Sequence, residues 1–590
     1  MRKFLLIVSA LLFAPLSAVA DAAPPPQPQQ LKALLDSDWQ WTMRHQPEYA
    51  TYVGDKRYND RLSDTSLAAS LAANAHQRDM LEQARRIDRN GLSVQERISL
   101  DLFLYEKTKA VEAAQFYEYM PQPITHLDGI HIALPQLVAQ TPFENAKDYH
   151  NYLARLRGLP KYIDGIIGQM RKGMETGWVA PAVTVQLIPD QLKEFVAKLE
   201  EGPVAAPFKN IPASIPKSTR ERLAQEGEKV LRQRVAPAFV KLEAFVREQY
   251  LPKCRATIAA TALPASPAYY AHAVRHSTTT AMTPQEIHEL GLREVARIQG
   301  ELRAVMKQVD FKGSLADFAK FLNTDPRFYF TKPEDLLEAY RDILKRAVAG
   351  LPRLFAELPR VPVDVKAMPD VGAENQTAGY YEAGAPDGSR PGYFVANLSK
   401  LHARPKWGME TLTLHEAVPG HHLQIARAQE LKNIPEFRRF GWYIAFGEGW
   451  ALYAESLGGE LGFFSDPYSK AGHLNAELFR AARLVVDTGM HALGWSREKA
   501  IDYLNANTTN PPHDNRVEID RYIMWPGQAL GYKIGQLKIK ELREKARAAL
   551  GPKFDLRRFN NALIDNGPLP LAELETQIER WIGEQLPPKP

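Results

Sequence analysis

The chain has 590 residues, 45% of them hydrophobic and 24% charged, with a formal net charge of +5 and a single cysteine. That length and balance suit a large globular protein with a sizeable core. The small net charge, without any block of like charges, leaves no footprint for nucleic acid, and the lone Cys254 excludes an intramolecular disulfide.

Met1-Arg2-Lys3 is a basic start to an apolar run from residue 4 to about 16, and Ser17-Ala18-Val19-Ala20 offers a small-residue cleavage site. Residues 1–20 therefore read as a signal peptide, and the mature protein is expected outside the cytoplasm, periplasmic or secreted after cleavage near Ala20. No cysteine follows the apolar run, so lipid attachment there is not expected. Residues 21–30 are rich in Pro and Gln and read as a disordered lead-in. No later segment is apolar enough to span a bilayer.

Residues 31–356 show amphipathic helical periodicity, clearest at 67–90, 146–176, 218–250 and 284–309. Thr283-Pro284-Gln285-Glu286 is a good helix start. Residues 357–590 begin differently. Val361-Pro-Val-Asp-Val-Lys-Ala alternates like an edge strand, and Pro386-Asp-Gly-Ser is a turn. It lies between Tyr380-Tyr381 and Gly392-Tyr393-Phe-Val-Ala-Asn397, which predicts a small antiparallel sheet. An extended peptide would add to such an edge through main-chain hydrogen bonds, with Tyr380 and Tyr381 lining it.

The sheet leads into Thr413-Leu-His415-Glu416-Ala-Val-Pro419-Gly420-His421-His422. Three of the fifteen histidines fall in eight residues, where even scatter places about 0.2. A histidine followed directly by glutamate, with more histidines close behind, is the pattern of a zinc hydrolase. In H-E-x-x-H both histidines share a helical face, but here the i+4 position is Pro419. On an unbroken helix His422 would lie about 10 Å beyond His415 along the axis, and His421 would point elsewhere. Pro419 and Gly420 predict a break that absorbs two residues and returns His421 to the i+4 place, with His422 as the alternative ligand. About thirty residues on, Phe446-Gly447-Glu448-Gly449-Trp450 sets a carboxylate in an apolar helix, which calls for a cation. Glu448 is the expected third ligand, and Glu455, two turns further, would orient a ligand histidine.

These two motifs resemble the family called domain of unknown function 885, itself similar to the gluzincin metallopeptidases. Arg483-Leu-Val-Val-Asp487-Thr-Gly-Met-His491, Arg521-Tyr522, Trp525-Pro-Gly-Gln528-Ala-Leu-Gly-Tyr532 and Pro47-Glu-Tyr-Ala-Thr extend the likeness over nearly the whole mature chain. The resemblance implies a mainly α, cleft-forming fold with the sheet beside the metal site. It also implies peptide hydrolysis with one zinc ion per chain. Asn560 stands where relatives are expected to carry histidine.

Glu416 would then be the general base for the attacking water. Tyr522, Tyr532 and His491 are candidates for stabilising the oxyanion. Asp487 shares a helical face with Arg483 and His491 and would fix the His491 ring. Arg521 would hold a substrate carboxylate, which points to a carboxypeptidase or dipeptidyl carboxypeptidase; without that role an oligopeptidase is expected. Two other classes stay open: a non-catalytic peptide- or metal-binding protein on the same scaffold, and a metal-dependent amidase acting on cell-wall or cyclic peptides.

Overall fold

The computed structural model describes residues 26–586 apart from 265, 266, 370–372, 374–376, 387 and 389. The expected leader, residues 1–20, lies outside the described residues. Of the expected disordered lead-in, residues 21–25 also lie outside the described residues, and 27–30 are instead the start of a helix, Gln27–His45. Pro28 sits in its first turn, where a missing N–H costs nothing, and Leu31, Leu34 and Leu35 are buried.

The chain is mainly helical, as expected. Thr283 accepts from the Glu286 amide and Glu286 reciprocates, which starts the helix Pro284–Gln308. The periodicity at 146–176 is the helix Ala146–Thr176, ended by Gly177 at φ 80°. Residues 217–250 form one helical rod with wider π turns at 231–235 and 246–250. Among the described residues, no helix is long and apolar enough to cross a membrane.

The sheet corrects the expectation of a purely antiparallel one. Its strands are β1 (Val363–Ala367), β2 (Gly379–Glu382) and β3 (Gly392–Ala396), in spatial order β1-β3-β2. The β2–β3 pair is antiparallel, Tyr381 opposite Phe394, as expected, while Asp387 and Ser389 of the expected turn lie outside the described residues. β1 lies on the far side of β3 and runs parallel to it, Val365 opposite Phe394. Both β1 and β2 are thus edges, and β2 runs beside the helix that carries His415.

Three large cores hold the helices. One is built within residues 124–250 around Tyr152, Leu156 and Phe239. A second joins Ile298 and Leu302 to Leu478, Val486 and Tyr522. The third crosses residue 357 and gathers Ile98, Tyr270 and Leu344 with Leu414, Trp450, Leu484 and Ile539. Each large apolar side chain fully buried in this way contributes about 1.5–3 kcal/mol. The helices around the site are therefore anchored by both parts of the chain.

Candidate metal centre

The His415 helix, Met409–Glu416, stops at Glu416, and the next helix, His421–Glu430, starts at His421. Residues 417–420 are the break that Pro419 and Gly420 predict, and the Val418–Pro419 bond is cis. Glycine is required at 420: a Cβ there would lie 1.9 Å from the His415 carbonyl oxygen. Trp450, on the Glu448 helix Ile444–Ser456, donates to the carbonyls of Pro419 (3.0 Å) and Gly420 (3.2 Å). The break is thus closed by the same helix that delivers Glu448.

Both neighbours of Glu448 are glycines for packing reasons. A Cβ at 447 would fall 2.2 Å from the Trp442 ring, and one at 449 would fall 2.5 Å from the Cα of Gly535. Gly535 in turn sits against the carbonyl of Ala445. The Glu448 helix and the Tyr532 helix, Gly531–Leu550, therefore touch backbone to backbone.

The break brings His421, not His422, next to His415. The two rings pack edge to face with centroids 4.8 Å apart. The Nε2 atoms of His415 and His421 lie 3.6 Å and 3.4 Å from Glu448 Oε2, and one ligating atom from each of the three residues falls within 4.8 Å of the others. Glu448 Oε2 is buried without a hydrogen-bond partner. Two imidazole nitrogens and an unsatisfied carboxylate oxygen are a donor set that suits a zinc-type ion with an open fourth position. His422 is engaged elsewhere: its Nε2–H donates to the Val361 carbonyl (3.0 Å), and its Nδ1 accepts from the Tyr381 hydroxyl (3.0 Å). It ties the sheet to the helix, and burial pushes its pKa down to about 4.

Glu455 takes the expected place. His415 Nδ1–H donates to Glu455 Oε1 at 2.8 Å, which leaves Nε2 facing the cluster. Burial pulls the His415 imidazole down in pKa, but the carboxylates of Glu448, Glu455 and Glu416 outweigh it and hold it at about 9. Burial alone would push Glu448 up; the two histidines instead hold it well below the usual carboxylate range. Glu416 is raised, chiefly by burial and against the pull of His415 and His421. It is buried and directly follows His415, with the basicity a proton acceptor needs.

The remaining candidates separate. His491 is not available as an oxyanion donor, because its Nδ1 accepts from the Ala260 amide (3.0 Å) and its Nε2–H donates to the Tyr522 carbonyl (2.9 Å). Asp487 does not hold that ring. It accepts from the Tyr270 hydroxyl (2.6 Å) and the Gly527 amide (3.1 Å). Tyr522 is also committed, donating to Glu518 Oε2 (2.6 Å) and accepting from Arg483 Nε (2.7 Å). Arg521 is paired with Glu518 (3.4 Å), Gln528 (2.9 Å) and the Tyr532 hydroxyl (3.1 Å), so it is no free clamp for a carboxylate. The Tyr532 oxygen is thereby an acceptor with its own proton left to give. The placement of Tyr532 follows from its neighbours Gly531 and Gly535, packed on Ala445 just before Glu448. Tyr380 is 38% exposed on the outer edge of β2, and Tyr381 is bound to His422.

Sequence reasoning missed three groups. Arg480 lies 3.6 Å from Glu455 and completes the chain from His415 outward. Glu518 is shared by Arg483 and Arg521 as a common ion-pair partner; its spacing of three and four residues before Arg521 and Tyr522 was the available signal. Trp442 packs on the His421 ring, centroids 5.8 Å apart. Asn560 accepts from the Tyr453 hydroxyl (2.9 Å) and donates to the Leu354 carbonyl (3.0 Å), a structural cross-link.

No curated protein matches the chain. A solved structure described as "the putative lipoprotein from Colwellia psychrerythraea" is 31% identical, with a TM-score of 0.91 over 95% of this chain and 99% of its own. Another, "a putative lipoprotein of unknown function from Shewanella oneidensis", is 16% identical, with a TM-score of 0.66 over 94% of this chain and 100% of its own, and shares the fold. The model of the family described as "Bacterial protein of unknown function (DUF885)" matches residues 47–578, and the chain belongs to that family.

Proposed function

We propose that the protein is a zinc-dependent peptidase. The observation that carries this reading is the convergence of His415, His421 and Glu448, with Glu416 adjacent and Glu455 on the far nitrogen of His415. His415, His421 and Glu448 would hold the ion, which when bound polarises the scissile carbonyl and lowers the pKa of water. Glu416 takes the proton from the attacking water and passes it to the leaving amine. Tyr532 donates a hydrogen bond to the oxyanion and keeps its proton, with Arg521 on the phenol oxygen strengthening that donation. The open edge of β2, beside the His415 helix, aligns the substrate backbone as an added strand.

The leader-like first twenty residues and the lipoprotein descriptions of the two solved relatives support a place in the cell envelope or beyond it. A purely binding protein has no use for a buried carboxylate at 416, so that residue separates the readings. The deciding experiment is metal content by mass spectrometry together with hydrolysis of a mixed peptide library. Wild type should hold about one zinc per chain and cut in a chelator-sensitive way. Glu448→Ala should lose the metal, and Glu416→Gln should keep metal and lose turnover. Metal-free wild type after zinc dialysis, with no cleavage, would overturn the proposal.

A further inference from the structure

A cavity of about 200 Å³ opens on the His421 helix, within one turn of His421. Its floor is the His421 helix: Gln424, Ile425 and Ala428 line it, at three, four and seven residues from His421 and so on the same helical face. Its walls are mostly aromatic, with Arg439, whose guanidinium is held by the Gln429 carbonyl, and Pro568 at the margin. Tyr49 and Tyr52 come from the short N-terminal helix Pro47–Tyr52, and Phe440 and Trp442 come from the loop before the Glu448 helix. Trp442 belongs to both places, lining the cavity and packing on His421.

Two features distinguish this cavity from ordinary surface relief. Tyr52 and Trp442 are 42% and 43% exposed, unusual for rings of that size next to a deep site. Gln424, one of the lining residues, is only 1% exposed, and its carboxamide oxygen is buried without a hydrogen-bond partner. A buried acceptor left unsatisfied is costly, and a group that brings a donor to it recovers that cost.

Resting on the peptidase reading, we infer that this cavity is a specificity pocket for a tyrosine side chain of the peptide, at a residue next to the bond that is cut. An engineered cavity of about 150 Å³ holds a benzene ring, so the volume here admits one phenol. The rings of Tyr52 and Trp442 supply flat apolar walls for it. Its hydroxyl meets Gln424 in either orientation of the carboxamide, as donor to the oxygen or acceptor from the nitrogen. Phenylalanine fills the same space but leaves Gln424 unsatisfied, which sets the order tyrosine over phenylalanine over alanine.

The test uses the full chain and three small probes, the N-acetyl amides of tyrosine, phenylalanine and alanine, titrated by ligand-observed NMR. The tyrosine amide should bind roughly tenfold more tightly than the phenylalanine amide, the discrimination expected of one buried hydrogen bond, and the alanine amide should not bind. Tyr52→Ala should weaken both aromatic amides, and Gln424→Leu should bring them to equal affinity. Because Gln424 is buried, Tyr52→Ala, on an exposed ring, keeps the test decisive if the other variant does not fold. In parallel, the ratio of kcat/KM for a tyrosine peptide to that for its alanine counterpart should fall towards one in Tyr52→Ala. Equal response to all three amides, or indifference to both variants, overturns the pocket. Tyrosine amide binding at this site without cleavage of any peptide would instead overturn the peptidase and leave the pocket standing.

Discussion

The indole nitrogen of Trp450 reaches across to the carbonyl oxygens of Pro419 and Gly420 at 3.0 and 3.2 Å. The Gly420 carbonyl also accepts from the Gln424 amide (3.2 Å), so the indole is needed chiefly by the Pro419 carbonyl, and Trp450 stands only two residues from Glu448. Trp450→Phe keeps most of the ring but leaves the Pro419 carbonyl buried and unmet. A loss of about 1–3 kcal/mol is expected, read as a lower denaturant midpoint at unchanged slope. Metal affinity should fall with it, since His421 follows Gly420 directly. A variant as stable as wild type would show that the break holds itself.

The bond between His415 Nδ1 and Glu455 is short, at 2.8 Å, and both groups are buried. It fixes which ring nitrogen faces Glu448. Glu455→Gln preserves shape but weakens the acceptor, and partners of this kind are worth about 10–100-fold in metal affinity. Competition with a chromophoric chelator measures this, and an unchanged zinc affinity would remove Glu455 from the site.

Tyr532 and Tyr522 were equivalent in the sequence, and the structure separates them by their partners. Tyr522 sits between Arg483 and Glu518, while Tyr532 keeps its proton. Tyr532→Phe should lower kcat by about 10²–10³ with KM and zinc content little changed, the signature of a contact made only in the transition state. Tyr522→Phe should mainly lower stability, by about 1–3 kcal/mol, because Arg483 and Glu518 lose the hydroxyl between them. If both variants lose kcat alike, the assignment to Tyr532 fails.

These cases mark what the sequence can say. The convergence of His415, His421, Glu448 and Glu455 was legible because helix arithmetic is local: a rise per residue and a proline at 419 suffice to move the second histidine from i+4 to i+6. The β2–β3 hairpin was legible for the same reason, through its turn. The direction of β1 was not, because it depends on which side of β3 is left free. His491 was misread because periodicity gives the face a residue occupies and not what meets it there. Its partners are the Ala260 amide and the Tyr522 carbonyl, 231 and 31 residues away. The cavity under Trp442 was equally hidden, since Tyr52 and Gln424 meet only through the tertiary fold.

Asp487 and His491 lie one turn apart on the helix Pro467–His491, both fully buried, and they give opposite pH dependences. Burial pushes Asp487 up to about 7, against the bonds from Tyr270 and Gly527. The folded state thus holds its proton where the unfolded chain, titrating near 3.9, has released it, so this group lowers stability as pH rises from about 4 to about 7. Burial pushes His491 down to about 4. The unfolded imidazole takes a proton near 6.5, so this group lowers stability as pH falls from about 6.5 to about 4. The two slopes oppose each other across the same window. Wild type should therefore vary little on their account, while each single variant exposes the other group. Asp487→Asn should lose stability relative to wild type as the solution is acidified from pH 7 to 4, and His491→Gln should gain relative to wild type over the same range. Each swing should be a few kcal/mol, following about 1.4 kcal/mol per pKa unit. Denaturant midpoints at several pH values give both curves, and parallel curves for wild type and either variant would show that the group does not titrate in this range.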